Sequence, residues 1–532
     1  MSTSLKSDLL AKKSIEAIII EAQSGEGDAV PGLKRTLGAW QLTMLGIGVV
    51  IGAGLFSLTG KVAADNAGPA VVFSYMISGL ACAFAGLCYA EFASSVPVAG
   101  SAYSYTYATM GELLAWIIGW DLVMEYAIGA GTVAVSWSAY FVKFCKQLDA
   151  AALAADPEGV FAMVIGFFRN GIGFCQHLGI TDPVQLALSP FATETLANGT
   201  QVHGIANLPA AAIVVLMSLL LIRGTKESAW FNAVMVTLKV TIVLLVICLG
   251  WAYMNPANHS PMIPARVSEV VNGNTIFHFG WQGVLTGSGL IFFAYIGFDA
   301  VSTAAQEAKK PQRDLPIGIL GSLFICTILY ILFSWVITGL ANYKEFHGVV
   351  DKLAPVATAL SHMPKQFLWL QQLIVPAILC GFSSVIMVLL MGQSRVFITM
   401  SQDGLLPKMF SDIHPVRHTP WKSNTLFAVL VGTAVAFLPG NLFGEMCSIG
   451  TLLAFVLVCV GVIVLRHTNP DLPRKFRCPW VPVVPAIGAL LCLIMMYFLD
   501  ADTWLRLIIW MAIGLTIYFT YSRKRSKLRK QP

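Results

Sequence analysis

Charged residues are rare inside the long apolar stretches of this sequence, and those that occur there are the first candidates for chemistry. Lys239 is the only Asp, Glu, Lys or Arg between Ala229 and Ala265. Asp121 and Glu125 lie four residues apart, on one face of a helix. Ionisable groups inside a membrane are costly and usually functional. A buried lysine could gain and lose a proton during a cycle, although extension of its amino group to the membrane surface is the alternative.

The first long apolar stretch contains a run of residues that weakens a helix. Four glycines occur within nine residues, at Gly46–Gly54. Each costs a helix up to about 1 kcal/mol relative to alanine. The first two also suit close packing between membrane helices. Gly52 and Gly54, on either side of Ala53, instead predict that the helix unwinds here.

A second interruption is predicted about 240 residues later in the chain. The segment Phe292–Asp299 carries Gly297 where a helix would otherwise continue. Asp299 follows it as a candidate cap for a new helix. The aromatic residues of this segment, among them Phe293, are placed to cover a site at the break.

Unwinding near the middle of a membrane has a chemical use. It frees N–H and C=O groups that must find other partners. The N-terminus of a half-helix offers N–H donors to an anion, and its C-terminus offers carbonyls to a cation. A zwitterionic amino acid needs both. Two broken helices five spans apart are also typical of a transporter built from an inverted repeat.

Composition indicates the environment that holds these segments. The chain has 532 residues, of which 56% are hydrophobic and 12% charged. Soluble domains carry roughly 25% charged residues, so the apolar surplus must face lipid. Charge-free runs long enough to span a bilayer recur to the end of the chain. The predicted spans are 37–60, 68–90, 113–142, 206–222, 229–253, 281–304, 316–341, 370–401, 424–439, 446–465, 480–498 and 503–521.

Twelve spans put both termini on one side, and the basic residues indicate which side. With the termini inside, the interior segments hold 23 of the 34 Lys and Arg residues and the exterior segments hold nine. The positive-inside rule then places both termini in the cytoplasm of a cell-membrane protein. The predicted divisions are a cytoplasmic tail at 1–35, a transporter domain at 36–521 and a basic cytoplasmic tail at 522–532.

The longest predicted external connection is 144–205. It contains an apolar patch, Val160–Phe168, that is too short to span a bilayer and predicts a re-entrant or interfacial helix. Cys145 and Cys175 could form a disulfide in this region. No cysteine and histidine spacing typical of a metal site occurs in the sequence.

Five ordered motifs together resemble the amino acid–polyamine–organocation superfamily, and within it the cationic amino acid transporter branch and its bacterial relatives. The resemblance runs from about residue 33 to 521. It implies an all-α fold with a five-plus-five inverted repeat, two extra helices, and breaks in helices one and six. The motifs are Gly46–Phe56, Glu125-Tyr126 with Trp137-Ser138, Lys239, Phe293–Thr303 and Gly392–Pro407.

The same resemblance implies roles for individual residues. The N–H groups of Ala53 and Gly54, beside Gly52, would bind the substrate carboxylate. The carbonyls of Val50, Phe293 and Ile296 would bind its amino group, and Phe293 would act as a gate. Lys239 would serve proton coupling in place of a sodium ion. The residues expected beside the substrate side chain are Glu125, Ser383, Ser384 and Met387.

The function predicted from the sequence is proton-coupled amino acid transport by alternating access. An exchanger of amino acids or polyamines without net proton flow is the alternative. An enzyme is not expected, because all nine histidines lie in or beside predicted loops. No cofactor, metal or nucleic acid is expected as a partner. Glu125 favours a cationic substrate and Met387 a small neutral one, and the sequence does not choose between them or give an oligomeric state.

Overall fold

The fold was taken from a computed structural model of the chain. The residues it describes are 11–14, 37–96, 101–155, 183–191, 193–195, 201–271, 274–347, 355–417 and 419–530. These residues are almost entirely helical, apart from two short antiparallel hairpins. The first hairpin pairs β1 (Thr193–Thr195) with β2 (Gln201–His203), and the second pairs β3 (Val267–Val271) with β4 (Asn274–His278).

Within the described residues, twelve helices, α1 to α12, follow one another in the predicted order. Two of them are divided: α1 into α1a (Ala39–Val50) and α1b (Gly54–Leu58 and Thr59–Val62), and α6 into α6a (Gly280–Ile291 and Phe292–Tyr295) and α6b (Asp299–Glu307). Helix α3 consists of Glu112–Val123, a π-helical turn at Met124–Ile128, and Gly129–Ala155. The others are α2 (Val71–Ser95), α4 (Leu208–Arg223), α5 (Thr225–Gly250), α7 (Pro311–Leu340), α8 (Leu368–Gln402), α9 (Trp421–Phe437), α10 (Gly440–Thr468), α11 (Val483–Tyr497) and α12 (Ala501–Ile517).

Length and composition identify these helices as a membrane bundle. Within the described ranges, eight helical stretches are long and apolar enough to cross a bilayer. One of them, Ala39–Ser95, has 57 residues and contains both α1 and α2. Helices α4 and α11 are shorter apolar helices. The chain is therefore a multi-pass helical membrane protein, as predicted.

The region predicted as the external loop 144–205 differs from expectation at its start. Helix α3 continues to Ala155, because Ala150–Ala155 are strong helix formers that extend it past its apolar part. The patch Val160–Phe168 and Cys175 lie outside the described residues, so the predicted interfacial helix and disulfide stay predictions.

Helices five positions apart in the chain pack against each other. Helix α2 packs along α7, α3 along α8, and α4 along α9. A two-fold axis that relates helices one to five with helices six to ten brings such equivalent pairs together. The packing is compatible with the predicted five-plus-five repeat, which stays a prediction.

Helix α1 is broken where its glycines predicted. Helix α1a ends at Val50, and the backbone of Ile51 is extended, with φ −72° and ψ 97°. The carbonyl of Gly52 then accepts the N–H groups of Leu55 and Phe56 at 3.2 Å each, which starts α1b. The two halves therefore share no continuous hydrogen-bond ladder.

Helix α6 is broken at the predicted glycine. Ile296 is extended after the last turn of α6a, with ψ 136°. Gly297 has a φ of +106°, a conformation that glycine adopts without the steric cost a side chain brings. Its carbonyl accepts the N–H of Ala300 at 3.1 Å, so a new helix begins at once.

The two breaks lie directly against each other. A Cβ atom at Gly54 would approach the Cα of Ala294 to 2.2 Å, and one at Gly297 would approach Val49 Cγ1 to 2.2 Å. Gly54 thus lies against the end of α6a, and Gly297 lies against the end of α1a. Because both residues are glycines without a side chain, the unwound backbones of α1 and α6 can meet.

Both tails contact one end of this bundle. Lys13 pairs with Asp403 at the end of α8, with 2.8 Å between Nζ and Oδ1. After α12, the chain folds back so that Arg529 Nε lies 2.9 Å from Oε1 of the fully buried Glu112. The hydroxyl of Tyr518 donates to the same Glu112 oxygen at 2.9 Å. The basic C-terminal segment is therefore part of the packed structure up to Arg529.

Replacing Gly54 by alanine should abolish transport, because the added methyl group overlaps backbone atoms of Ala294 that cannot move aside. Overpacking of this kind costs about 1–3 kcal/mol or more. The matched control is Gly432→Ala in α9, where a Cβ would meet nothing closer than 3.8 Å. Uptake into proteoliposomes and thermal unfolding should be measured for both variants. Normal transport by the Gly54 variant would contradict the close approach of the breaks.

Candidate functional site

The two breaks present backbone groups of opposite polarity at one place. The first N–H groups of a helix have no partner within that helix, and at the start of α1b these belong to Ala53 and Gly54. The last carbonyls of α1a and α6a lie beside them, because the breaks are in contact. The arrangement offers donors to an anion and acceptors to a cation a short distance apart.

The predicted backbone residues are shielded from solvent. Val50 is 2% exposed, Ala53 1%, and Phe293 and Ile296 5% each. The Phe293 carbonyl accepts the N–H of Ile296 at 3.3 Å. Burial of this degree strengthens any electrostatic interaction formed at the breaks.

Lys239 connects the first break to two other helices. Its side chain is fully buried, and its Nζ donates to the carbonyl of Gly48 in α1a. The same nitrogen donates to Ser384 Oγ of α8 at 3.2 Å. A Cβ atom at Gly381, on the same face of α8, would lie 3.4 Å from Lys239 Cβ. The lysine thus fills the space between α1, α5 and α8, and does not extend to the surface.

The polar residues of α8 are committed to other contacts. Ser384 Oγ donates to the carbonyl of Gly381 at 2.9 Å in addition to its contact with Lys239. Ser383 Oγ donates to the Leu379 carbonyl at 2.8 Å within its own helix. Met387 is 1% exposed. Ser384 therefore belongs with Lys239, while Ser383 and Met387 stay predictions as side-chain contacts.

A group of buried carboxyls lies on the side of α3. Both oxygens of Asp121 lack a hydrogen-bond partner among the described residues. Glu125 lies in the π-helical turn of α3, where its carboxyl interacts electrostatically with that of Asp299. A buried carboxyl without a partner is costly unless it binds a proton or a cation.

Asp299 makes a polar contact with α3 beside the second break. It is the first residue of α6b, and Phe298 precedes it at the N-cap position. Its Oδ2 accepts the hydroxyl of Tyr126 at 2.9 Å and lies 3.5 Å from Ser101 Oγ. The role of Asp299 as a cap for the second half of the helix stays a prediction.

Three tyrosines contact the breaks or one another, and the sequence did not single out two of them, Tyr75 and Tyr330. Tyr330 of α7 contacts the carbonyls of Val50 and Ala294, at 2.6 and 2.8 Å. Tyr75 of α2 donates to the Gly54 carbonyl at 3.0 Å. Tyr295 donates to the Tyr75 carbonyl at 2.9 Å. The one available signal was that a tyrosine within an apolar helix needs a partner for its hydroxyl.

Comparison with known proteins agrees with a transporter. The family model described as amino acid permease matches residues 37–518. The branched-chain amino acid permease BcaP of Bacillus subtilis (strain 168) is 42% identical over 526 residues, which is 99% of this chain and 100% of that protein.

Two further relatives differ in what their names say they carry. The methylthioribose transporter of the same Bacillus strain is 40% identical over 524 residues, covering 98% of this chain and 100% of that protein. The vacuolar cationic amino acid transporter 4 of Arabidopsis thaliana is 32% identical over 464 residues, covering 87% of this chain and 68% of that protein. The family match and these relatives are transporters and not enzymes, and the chain belongs to the amino acid permease family.

Proposed function

We propose that this chain is a secondary active transporter that carries amino acids across the cell membrane by alternating access, driven by protons. The observation that carries the proposal is the contact between the two breaks, at Gly54 on Ala294 and Gly297 on Val49. A helix continued through either position would leave no free backbone groups. Two interruptions in contact are costly, and a ligand that uses both polarities accounts for them.

In this proposal the protein binds the substrate through the carboxylate and the amino group that all amino acids share. The carboxylate meets the N–H groups of Ala53 and Gly54 at the start of α1b. The amino group meets carbonyls at the ends of the preceding halves, those of Val50, Phe293 and Ile296. Phe293 closes over the bound molecule. The helix termini thus stabilise both charges of the substrate, and no bound metal ion is needed for this.

Lys239 provides the coupling to protons. As an ammonium group it donates to Gly48 and Ser384, and this holds α1a against α8. When the lysine loses its proton, that contact weakens and α1a is released. The excess of basic residues on the interior segments supports the proposed cytoplasmic position of both termini.

Removal of the lysine should separate transport from the proton gradient. Wild-type protein in proteoliposomes is expected to accumulate radiolabelled amino acid when the outside is more acidic than the inside. Lys239→Ala should lose the gradient-driven part of uptake. Lys422→Ala is the control, because Lys422 is 40% exposed and pairs with Asp412 away from the breaks. If wild-type uptake needs preloaded amino acid and ignores the gradient, the protein is an exchanger and the proton role of Lys239 is wrong.

The substrate class we propose is the neutral branched-chain amino acids. The support is the 42% identity to a branched-chain permease over the whole of both chains and the buried, apolar Met387. A second candidate is methylthioribose, because a transporter named for it is 40% identical over a comparable length. That molecule is a neutral thioether sugar with neither pole of an amino acid.

Competition separates these candidates. Uptake of labelled leucine should be inhibited by unlabelled isoleucine and valine at about equal concentration, and more weakly by arginine, because the apolar side chain of Met387 cannot pair with a cationic end. Methylthioribose should compete poorly, since it cannot pair with both helix termini. Strong uptake of methylthioribose with none of leucine would favour the second candidate. Preferential uptake of arginine would indicate that Glu125 sets the specificity.

A further inference from the structure

One hydroxyl group lies between the ends of both broken helices. The side chain of Tyr330, in the interior of α7, is fully buried. Its oxygen is 2.6 Å from the carbonyl oxygen of Val50 and 2.8 Å from that of Ala294. Val50 is the last residue of α1a, and Ala294 lies in the last turn of α6a. The hydroxyl therefore joins the ends of α1a and α6a, which carry the carbonyls proposed to bind the amino group of the substrate.

A phenol has a single proton, and this limits what the hydroxyl can do. It donates to one of the two carbonyls at a time. Each carbonyl oxygen has two lone pairs, so both can accept further N–H donors while Tyr330 stays in place. One atom, the hydroxyl oxygen of Tyr330, contacts both carbonyls and so sets the distance between them. Two separate, flexible side chains would not fix that distance.

The ring of Tyr330 is itself held on two sides. Its centroid lies 5.3 Å from that of Tyr75 and 5.2 Å from that of Tyr295. Tyr75 donates to Gly54, and Tyr295 donates to the backbone of Tyr75. This tyrosine cluster, Tyr75, Tyr295 and Tyr330, thus connects α1, α2, α6 and α7 at the breaks. Packing of this kind keeps a group in one geometry, which lowers the ordering cost of binding.

We propose that Tyr330 is a positioning residue for the amino group of the substrate, and that the Ala294 carbonyl joins Val50 as an acceptor. The hydroxyl holds the two carbonyls at a spacing suited to a primary ammonium group. This inference rests on the proposed function, in which the breaks bind an amino acid. Tyr330 acts through the backbone, and its removal should weaken substrate binding more than it slows transport.

Tyr330→Phe tests this role, because it keeps the ring and removes the shared proton. The KM for leucine should rise about fivefold, the loss expected for one hydrogen bond, while the maximal rate changes by less than about twofold. Tyr140→Phe is the matched control. Tyr140 is also fully buried and donates to a helix-one carbonyl, that of Phe56, at 2.7 Å, but outside the break. The KM of the Tyr140→Phe variant for leucine should stay at the wild-type value.

The outcomes separate the inference from the proposed function. If wild-type protein takes up no amino acid, the proposed function fails. If wild-type uptake saturates normally and Tyr330→Phe keeps the wild-type KM, only the role of Tyr330 fails. An equal rise in KM for the Tyr140 variant, or parallel losses of thermal stability and rate without a change in KM, would also overturn that role, because both indicate a general structural effect.

A measurement on wild-type protein keeps the inference testable if Tyr330→Phe does not fold. A rigid pair of carbonyls should discriminate between amines by their number of N–H donors. Binding should weaken in steps from leucine to N-methylleucine and N,N-dimethylleucine, measured by competition against labelled leucine. Equal competition by the three compounds would show that the carbonyls are not held at a fixed spacing and would contradict the role of Tyr330.

Discussion

A helix interrupted within a membrane leaves N–H and C=O groups that neither water nor lipid can satisfy. In this protein two such interruptions exist, and most of the site follows from how their groups are satisfied. The carbonyl of Gly48 is bound by Lys239, those of Val50 and Ala294 by Tyr330, and that of Gly54 by Tyr75. In the function we propose, the first N–H groups of α1b, at Ala53 and Gly54, are the donors that bind the ligand.

The charged residues near the breaks fall on two sides. Lys239 reaches α1a from α5 and connects it to α8, whereas Asp299 of α6b is bound by Tyr126 of α3. Helices α1 and α6 are thus each attached, by a polar contact of a charged side chain, to helices that the tyrosine cluster does not include. In the function we propose, a change of protonation at either contact alters how α1 and α6 are held, and protons act on the substrate site by this route.

The sequence predicted those features that depend on local signals. The twelve helices follow from charge-free runs, and the breaks at Gly52, Gly54 and Gly297 follow from residues that disfavour a helix where nothing else explains them. The resemblance to a known superfamily also pointed to Lys239, whose buried contact with α1a and α8 the structure shows. These features need no knowledge of which helix packs on which.

Long-range contacts could not be predicted in the same way. Tyr330 and Val50 are 280 residues apart in the chain, and Arg529 and Glu112 are 417 apart. Nothing in the sequence around Tyr330 distinguishes it from a tyrosine packed against lipid. Asp299 and Tyr126, which are in contact, are likewise 173 residues apart in the chain.

The most direct measurement is calorimetric binding of leucine to the purified protein, compared with two analogues that each lack one pole. These are 4-methylpentanoic acid, which lacks the amino group, and 3-methylbutylamine, which lacks the carboxylate. If the two breaks together bind the backbone of an amino acid, leucine binds and neither analogue binds measurably at the same concentration. Binding of either analogue with an affinity close to that of leucine would show that one break is not part of the site and would contradict the central claim.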